Sequence, residues 1–220
     1  MIARWTNSFV RLMGGHGIFR FDRNGVLRVA GVEALMLPMT SFAMQQFLLN
    51  KYLDRHIVQD IFYHTGKIQG KVAVRILRDK FGIKDPKRIF SMIMEQYKMV
   101  GMGRNEILKL DRKNHIVLLK KVVAPYEEKY LKLFGTQKEP VSQGHRGATA
   151  GIFEEIFGEE MVTIEKQCKV QGKQFCLEET FPTRLIKKKD LSPMEKRQLP
   201  SPVSRYPELR QLEQTMHYLR

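Results

Sequence analysis

Residues 140–182 read PVSQGHRGATAGIFEEIFGEEMVTIEKQCKVQGKQFCLEETFP and contain both cysteines of the chain. Over residues 147–157 the apolar side chains recur at intervals of three and four, which predicts an amphipathic helix. Gly147 and Gly151 lie one turn apart on this helix. Gly158 is expected to end it, because glycine commonly follows the last turn of a helix. The first half of the stretch is therefore predicted to be helical.

The second half of the stretch predicts a β-hairpin. Residues 161–166 and 173–179 have strand patterns on either side of a turn at Gly172, and glycine readily adopts the positive φ of a tight turn. If the loop has three residues, Cys168 and Cys176 oppose each other directly; if it has two, they are diagonal neighbours. The two cysteines are therefore predicted to face each other across the hairpin.

A metal site is one interpretation of this hairpin. Glu165 lies three residues before Cys168, so in an ideal strand the two side chains point to opposite faces, and a bulge or bend is needed to bring them together. The residues leave three alternatives open. These are a tetrahedral zinc site built from Glu165, Cys168, Cys176 and either His145 or a water, a pair of packed thiols, and a reversible disulfide between the strands. A metal bound here is expected to pin the hairpin rather than to catalyse.

The spacing of Glu165, Cys168, Gly172 and Cys176, preceded by the sequence GATAG at residues 147–151, resembles the 4-vinyl-reductase domain family. Members of that family are small-molecule-binding domains, similar in fold to subunits of the TRAPP vesicle-tethering complex and to haem-NO-binding sensors. They occur alone or fused to bacterial regulators of aromatic catabolism. The resemblance implies a hydrophobic ligand enclosed between helices and sheet, and a homodimer.

The resemblance also implies a zinc cofactor. In family members that bind zinc, the metal is held by a glutamate, the two hairpin cysteines and a third cysteine before the glycine-rich helix. Glu165, Cys168 and Cys176 match the first three positions, whereas Ser142 occupies the position of the third cysteine. His145 lies one helical turn further on and is the candidate for the missing ligand.

The preceding part of the chain predicts a hairpin and several helices. The Asn-Gly pair at residues 24–25 predicts the turn of an N-terminal hairpin over residues 18–29. Helices are expected at Ser41, Asp54 and Asp85, because each of these residues suits a helix N-cap ahead of an apolar pattern of helical spacing. The helix after Asp85 begins with proline, which favours the first helical position.

Gly66 and Gly70 form a second pair of glycines spaced by four residues. Such a pair either lets two backbones approach closely, at a helix contact or a dimer seam, or marks a bend between two helices. Further on, residues 106–110 and 116–123 predict a second hairpin, followed by a short helix after Pro125. Strands joined as hairpins favour an α+β fold, with an antiparallel sheet and helices packed on one side.

The composition is that of a basic globular chain. Its 220 residues are 43% hydrophobic and carry a formal net charge of +15. Residues 1–182 are therefore predicted to form one ligand-binding domain around a single core. The N-terminus lacks the apolar core of a secretion signal, and no run approaches the roughly 18 apolar residues that span a bilayer. A cytoplasmic location is predicted.

Residues 183–220 are predicted to form a basic, proline-containing linker followed by a short amphipathic helix. Lysine and arginine side chains gain affinity for polyanions by releasing counterions from phosphates, although most such residues simply form a solvated face. The candidate polyanion-binding residues are Arg184, Lys187, Lys188 and Lys189. The apolar stripe of the terminal helix consists of Leu209, Leu212, Met216 and Leu219. It needs the domain, a second subunit or a partner to cover it.

Twelve methionines and thirteen phenylalanines are consistent with an apolar pocket, because methionine forms an adaptable wall around irregular ligands. Core packing explains most such residues, and the family resemblance is what favours a pocket here. The candidate lining residues are Phe47, Phe62, Met92, Met94 and Phe153.

These features favour a cytoplasmic, non-catalytic binding or sensory domain for a hydrophobic small molecule, with the cysteine hairpin as a structural clasp. One alternative is a nucleic-acid-associated regulator or protein-interaction protein that acts through the basic tail. Another is an enzyme acting on a tetrapyrrole-like substrate, which the family's name suggests. No catalytic residues are assigned, because the sequence contains no G-x-S-x-G motif and no nucleophile paired with a histidine at a familiar spacing.

Overall fold

A computed structural model describes residues 37–99 and 101–217, together with three short strands before them: β1 (Phe19–Phe21), β2 (Leu27–Val29) and β3 (Val32–Ala34). Neighbouring strands of this group pair antiparallel in the order β1-β2-β3. The pairing of β1 with β2 confirms the N-terminal hairpin, although its turn at residues 24–25 lies outside the described residues.

The main domain combines helices with a four-stranded antiparallel sheet. Its helices are α1 (Met39–Tyr52), α2 (Arg55–Asp79), α3 (Pro86–Met99), α4 (Pro125–Phe134), α5 (Gln143–Phe157), α6 (Pro193–Lys196) and α7 (Pro207–His217). Its strands are β4 (Arg104–Asp111), β5 (Ile116–Val123), β6 (Met161–Gln167) and β7 (Cys176–Pro182). The strand order is β4-β5-β7-β6. The α+β class and the antiparallel sheet are confirmed.

The helix boundaries follow the predicted caps with one exception. α1 begins at Met39, two residues before Ser41, so the prediction that Ser41 caps it is wrong; Pro38 precedes the helix instead and fixes its own φ at −57°. Asp54 caps α2 as predicted, because its carboxylate accepts hydrogen bonds from the backbone amides of His56 and Ile57 at 2.8 and 3.2 Å. At the other end of α5, Gly158 adopts a left-handed conformation with φ of 73° and ends the helix.

Gly66 and Gly70 lie inside the continuous helix α2, so the interpretation of a bend between two helices is wrong. They face α5, where a Cβ on Gly66 would lie 2.0 Å from the carbonyl oxygen of Gly144. In the reverse direction, a Cβ on Gly147 would lie 1.9 Å from the carbonyl oxygen of Tyr63. We call this contact between α2 and α5 the glycine seam. It is a helix contact within one chain.

One face of the four-stranded sheet is buried. Along β5, Val117, Leu119 and Lys121 are buried whereas the residues between them are partly exposed, which is typical of a strand with one face toward a core. Phe153 of α5 packs against Val117 and Leu119. α5 therefore lies between the sheet and α2.

Residues after β7 pack against this core. Leu191 is buried with residues of β6 and β7, and Gln198 bonds to the backbone of β6. Asp60 of α2 accepts hydrogen bonds from the Ser201 amide and the Tyr206 hydroxyl at 3.0 and 2.8 Å. Packing therefore continues beyond residue 182, and the division of the chain at that residue stays a prediction. Leu219 of the predicted apolar stripe lies outside the described residues.

None of the helices in the described ranges is both long and apolar enough to cross a membrane.

Candidate metal centre and its buried surroundings

The hairpin of β6 and β7 positions the two cysteines. β7 begins at Cys176, three residues after the predicted start at 173, because the connection is longer than a tight turn. It contains a 3-10 turn, Lys169–Gln171, followed by Gly172 with φ of 79°. Gly172 therefore supplies the positive φ that the sequence predicted, but in a longer loop.

Glu165, Cys168 and Cys176, which we call the hairpin cluster, come together as the metal interpretation requires. The two sulfurs are 3.6 Å apart, and one ligand atom from each of the three residues lies within 4.8 Å of the others. Glu165 pairs with Glu178, which is on the same face of β7 as Cys176. The register of β6 against β7 shifts between Glu165 and Gln167, and this bulge brings Cys168 to that face. Both cysteines are free thiols in the structure. The bulge therefore explains how residues with opposite strand parity share one side.

The Glu165 carboxyl group is buried without a partner. Its relative exposure is 0%, and neither carboxyl oxygen has a hydrogen-bond partner among the described residues. Burial raises the pKa of Glu165 from 4.5 to about 7, against the opposing attraction of the Lys121 ammonium. The backbone of Glu165 is fixed by Gln198, whose side chain bonds to its amide at 2.8 Å and to its carbonyl at 2.9 Å. A carboxylate held in this way is available to a cation.

Both thiols are protonated at neutral pH without a metal. Contact with Cys176, together with burial, raises the pKa of the Cys168 thiol. Contact with Cys168 alone would lower the pKa of the Cys176 thiol, but burial and the charge of Glu165 outweigh this effect, so the pKa is raised. A metal ion would have to displace these protons, so its affinity must depend on pH.

A buried charge network of Lys121, Glu127 and Glu178 lies next to the hairpin cluster, and each member is at most 2% exposed. The Lys121 ammonium is 2.5 Å from a carboxyl oxygen of Glu127 and 3.6 Å from one of Glu178. Burial alone would raise the pKa of Glu178, but His145 and Lys121 hold it at about 2. Sequence reasoning missed this network. The signal was Lys121, a lysine on the core-facing side of the alternating strand β5.

The structure does not bring His145 into the hairpin cluster. Its Nδ1 lies 2.8 Å from Glu178, and its Nε2 lies 3.3 Å from the side-chain amide of Asn105. Ser142, at the position of the family's third cysteine, donates a hydrogen bond to Glu127. The described residues therefore supply three ligands to one point, and a tetrahedral metal would need a water or another exogenous ligand as the fourth.

The hairpin cluster fits a metal ion in its donor chemistry. Two thiols and one carboxyl group are a soft and borderline donor set of the kind that zinc accepts. The partnerless oxygens of Glu165 are what a bound cation would satisfy. The ammonium of Lys121 repels a cation, but the carboxylates of Glu127 and Glu178, which pair with Lys121, offset this repulsion. The cluster can therefore hold a metal.

The candidate pocket residues fall into two separate regions. Phe47 stacks on Phe134 at 4.0 Å between ring centroids, and Phe62 packs edge-on to Phe42 of α1. The other candidates, Met92, Met94 and Phe153, lie around α3, and Phe153 stacks on Phe90 of that helix. The two groups of candidates have different neighbours, and their role as the lining of one pocket stays a prediction.

The candidate polyanion-binding residues differ in their surroundings. Arg184 forms an ion pair with Glu159, at 2.8 Å from Nε to a carboxyl oxygen. Lys189 pairs with Glu179 at 2.6 Å and lies over the ring of Phe181. Lys187 and Lys188 are exposed. Two of the four residues, Arg184 and Lys189, are therefore already paired with carboxylates.

Comparison with solved structures identifies proteins of similar fold. No protein-family model and no curated protein sequence matches the chain. The phenol-responsive sensory domain of the transcription activator PoxR, solved with phenol, is similar with a TM-score of 0.72 at 14% identity, over 90% of this chain and 99% of that domain. This similarity supports the α+β fold expected from the sequence.

Two further solved structures belong to the groups that the motif resemblance named. A vinyl-4-reductase family protein from Methanocaldococcus jannaschii aligns with a TM-score of 0.44 at 24% identity, over 68% of this chain and 84% of that one. A trafficking protein particle complex subunit 3 from Naegleria fowleri, covalently bound to palmitic acid, aligns with a TM-score of 0.45 at 16% identity, over 66% and 95%.

Proposed function

We propose that this chain is a non-catalytic sensory domain that binds a hydrophobic small molecule and is braced by a metal clasp. The observation that carries the proposal is the fold shared over 90% of the chain with a domain whose ligand is phenol. Fold alone does not fix a ligand, so the identity of the small molecule must come from the site.

The clasp is the hairpin cluster, with zinc as the proposed metal. Glu165, Cys168 and Cys176 would hold it, and a bound zinc would supply structural cross-linking of β6 to β7 with no catalytic step. Cys168 and Cys176 pack in one apolar cluster with Ala43 of α1 and Tyr130 of α4. A metal there would stabilise the hairpin where it meets two helices.

The ligand is proposed to bind beneath α3, at its contact with α5 and the sheet. Ligand pockets combine apolar walls with a few polar groups that fix orientation. Phe90, Met94 and Tyr97 of α3 provide the apolar and aromatic wall. His145 and Asn105 are buried polar side chains, and the His145 ring is 5.5 Å from that of Tyr97. A small aromatic molecule with one hydroxyl group suits this combination.

A homodimer is proposed through the outer faces of α1 and α2. The glycine seam is used within one chain, so a dimer needs another surface. Large apolar side chains are exposed along these helices, and contiguous exposed apolar surface usually marks an interface. The residues are Phe42, Met44, Leu48, Leu49, Tyr52, Leu53, Ile57 and Ile61.

Zinc competition tests the clasp. The reduced full chain is titrated with zinc against a chromophoric chelator, and Cys168→Ser is expected to weaken binding by at least a hundredfold, because it removes one of three protein ligands. Ser142→Cys, which supplies the family's third cysteine, is expected to tighten it. Equal affinities for wild type and Cys168→Ser would contradict the clasp.

A panel of small aromatics tests the ligand. Phenol and indole are titrated into the full chain by calorimetry, and Met94→Trp is expected to weaken the best binder at least tenfold by crowding the proposed site beneath α3. Met102→Trp is the control, because Met102 is 38% exposed. Absence of saturable binding, or equal loss in both variants, would refute this location.

A further inference from the structure

A polar cavity of about 340 Å³ lies between the first turns of α2 and the segment that follows α6. None of the three hairpin-cluster residues lines it. Its lining is rich in hydrogen-bond donors, including Arg146, Arg197, Arg205, His56, Gln198 and Ser201. The volume is at the lower end of the roughly 300–1,000 Å³ found for small-molecule sites.

The acidic residues of this cavity are already engaged by the protein. The Asp54 carboxylate accepts from two backbone amides at the start of α2. The Asp60 carboxylate accepts from the Ser201 amide and the Tyr206 hydroxyl. Arg197 is itself paired with Glu139, at 2.7 Å from Nε to a carboxyl oxygen. Arg146 and Arg205 are therefore the lining arginines that have no ion pair with a carboxylate among the described residues.

Arg146 is the buried cation of the cavity wall. It is 2% exposed, and its Nη1 donates only to backbone carbonyls, at 3.0 Å to Gln198 and 3.4 Å to Thr163. Its Nε has no partner, and within the described part of the chain no carboxylate lies within ion-pair distance of the guanidinium. The charges of Glu165 and Glu178 act on it from further away. A buried charge without a paired counterion is costly, and protein sites that retain one usually pair it with a ligand.

We propose that this cavity binds the oxyanion group of a small molecule, a phosphate or a carboxylate, against Arg146 and Arg205. A guanidinium matches the geometry of two oxyanion oxygens with paired N–H donors, which suits it better than a lysine for this task. Arg205 is exposed at the rim, where its guanidinium has a long polar contact of 3.5 Å with the Ser201 hydroxyl and lies 6.0 Å from the centre of the Tyr206 ring.

The site also has a physical connection to the hairpin cluster. Gln198 lines the cavity, receives the Arg146 hydrogen bond on its carbonyl, and bonds through its side chain to both backbone groups of Glu165. An oxyanion that shifts Gln198 therefore acts on the strand that carries Glu165. This second site is distinct from the apolar site beneath α3, and its test does not depend on a hydrophobic ligand.

The test is calorimetric titration of the full chain with inorganic phosphate and, separately, with acetate, at constant ionic strength. Saturable binding of one probe is expected, and the tighter probe identifies whether the group is a phosphate or a carboxylate. Arg205→Ala is expected to weaken that probe at least threefold and Arg146→Gln at least tenfold, since charge-assisted hydrogen bonds are lost. Arg112→Ala is the control, because it removes the same charge from an exposed site outside the cavity.

Backbone NMR provides a second measurement in case Arg146→Gln does not fold. Bound probe is expected to shift the amide signals of Gln198 and Ser201 in the wild type, and less so at equal probe concentration in Arg205→Ala. Equal weakening by Arg205→Ala and Arg112→Ala would show general charge attraction and overturn the proposal. So would the absence of saturable binding by either probe.

Discussion

The substitution Glu165→Gln tests the burial of an unpartnered carboxyl group in the metal-free protein. In the folded chain the pKa of Glu165 is raised from 4.5 to about 7. A group whose pKa is raised by folding stabilises the fold while it is protonated, and this contribution is lost as the pH rises through the folded pKa. Each pH unit between the two pKa values corresponds to about 1.4 kcal/mol, so the free energy of unfolding falls by about 3 kcal/mol in total as Glu165 ionises. About 2 kcal/mol of this falls between about pH 5.5 and about pH 8.5.

The assay is urea unfolding of wild type and Glu165→Gln across this pH range, with a reductant and a chelator present. The free energy of unfolding of the wild type, minus that of the variant, should fall by about 2 kcal/mol as the pH rises. Glu128→Gln, at a carboxylate that is 51% exposed, serves as the control and should leave the wild-type profile unchanged. A parallel pH profile for wild type and Glu165→Gln would refute the reasoning, because it would mean that Glu165 is ionised or solvated throughout.

Three further predictions follow from the packing and the charges. Gly147→Ala should lower the free energy of unfolding by about 3 kcal/mol or more, since its Cβ would meet the carbonyl oxygen of Tyr63. Gly144→Ala in the same helix is the control and should raise the free energy of unfolding by up to about 1 kcal/mol. Equal effects of the two substitutions in urea unfolding would contradict the glycine seam. Lys121→Met should lower the free energy of unfolding by about 3–5 kcal/mol, because it leaves two buried carboxylates without their cation. A decrease in melting temperature no larger than that of the exposed variant Lys187→Met would contradict the network. Zinc affinity should rise at least tenfold per pH unit near neutrality, because the metal must displace protons from the hairpin cluster, and a flat profile in chelator competition would count against it.

Local patterns in the sequence predicted most of the fold. Asp54, the proline after Asp85 and Gly158 act through the backbone next to them, so their effects as caps are visible in sequence. Ser41 was misleading because the chain turns into α1 two residues earlier, at Met39. Helix starts are set by tertiary packing as well as by the cap, and that information is not local.

The candidate site was predictable only in part. The spacing of Glu165, Cys168 and Cys176 predicted that these three side chains form a cluster, and the structure shows them within reach of one point. The sequence also indicated that a bulge is needed to unite them, and a register shift is present there. The partners of His145 were not predictable, because Glu178 and Asn105 come from strands that are distant in sequence. The oxyanion cavity was likewise hidden, since it is assembled from α2, α5 and the segment after α6.

A native mass spectrum of the reduced full chain, recorded with phenol and compared with the denatured mass, tests the central claim most directly. The account predicts about one zinc ion per chain that is absent from Cys168→Ser, and a non-covalent aromatic adduct that is weakened by Met94→Trp. A chain that carries neither zinc nor adduct after incubation with both would contradict the proposal of a metal-braced sensory domain for a hydrophobic small molecule.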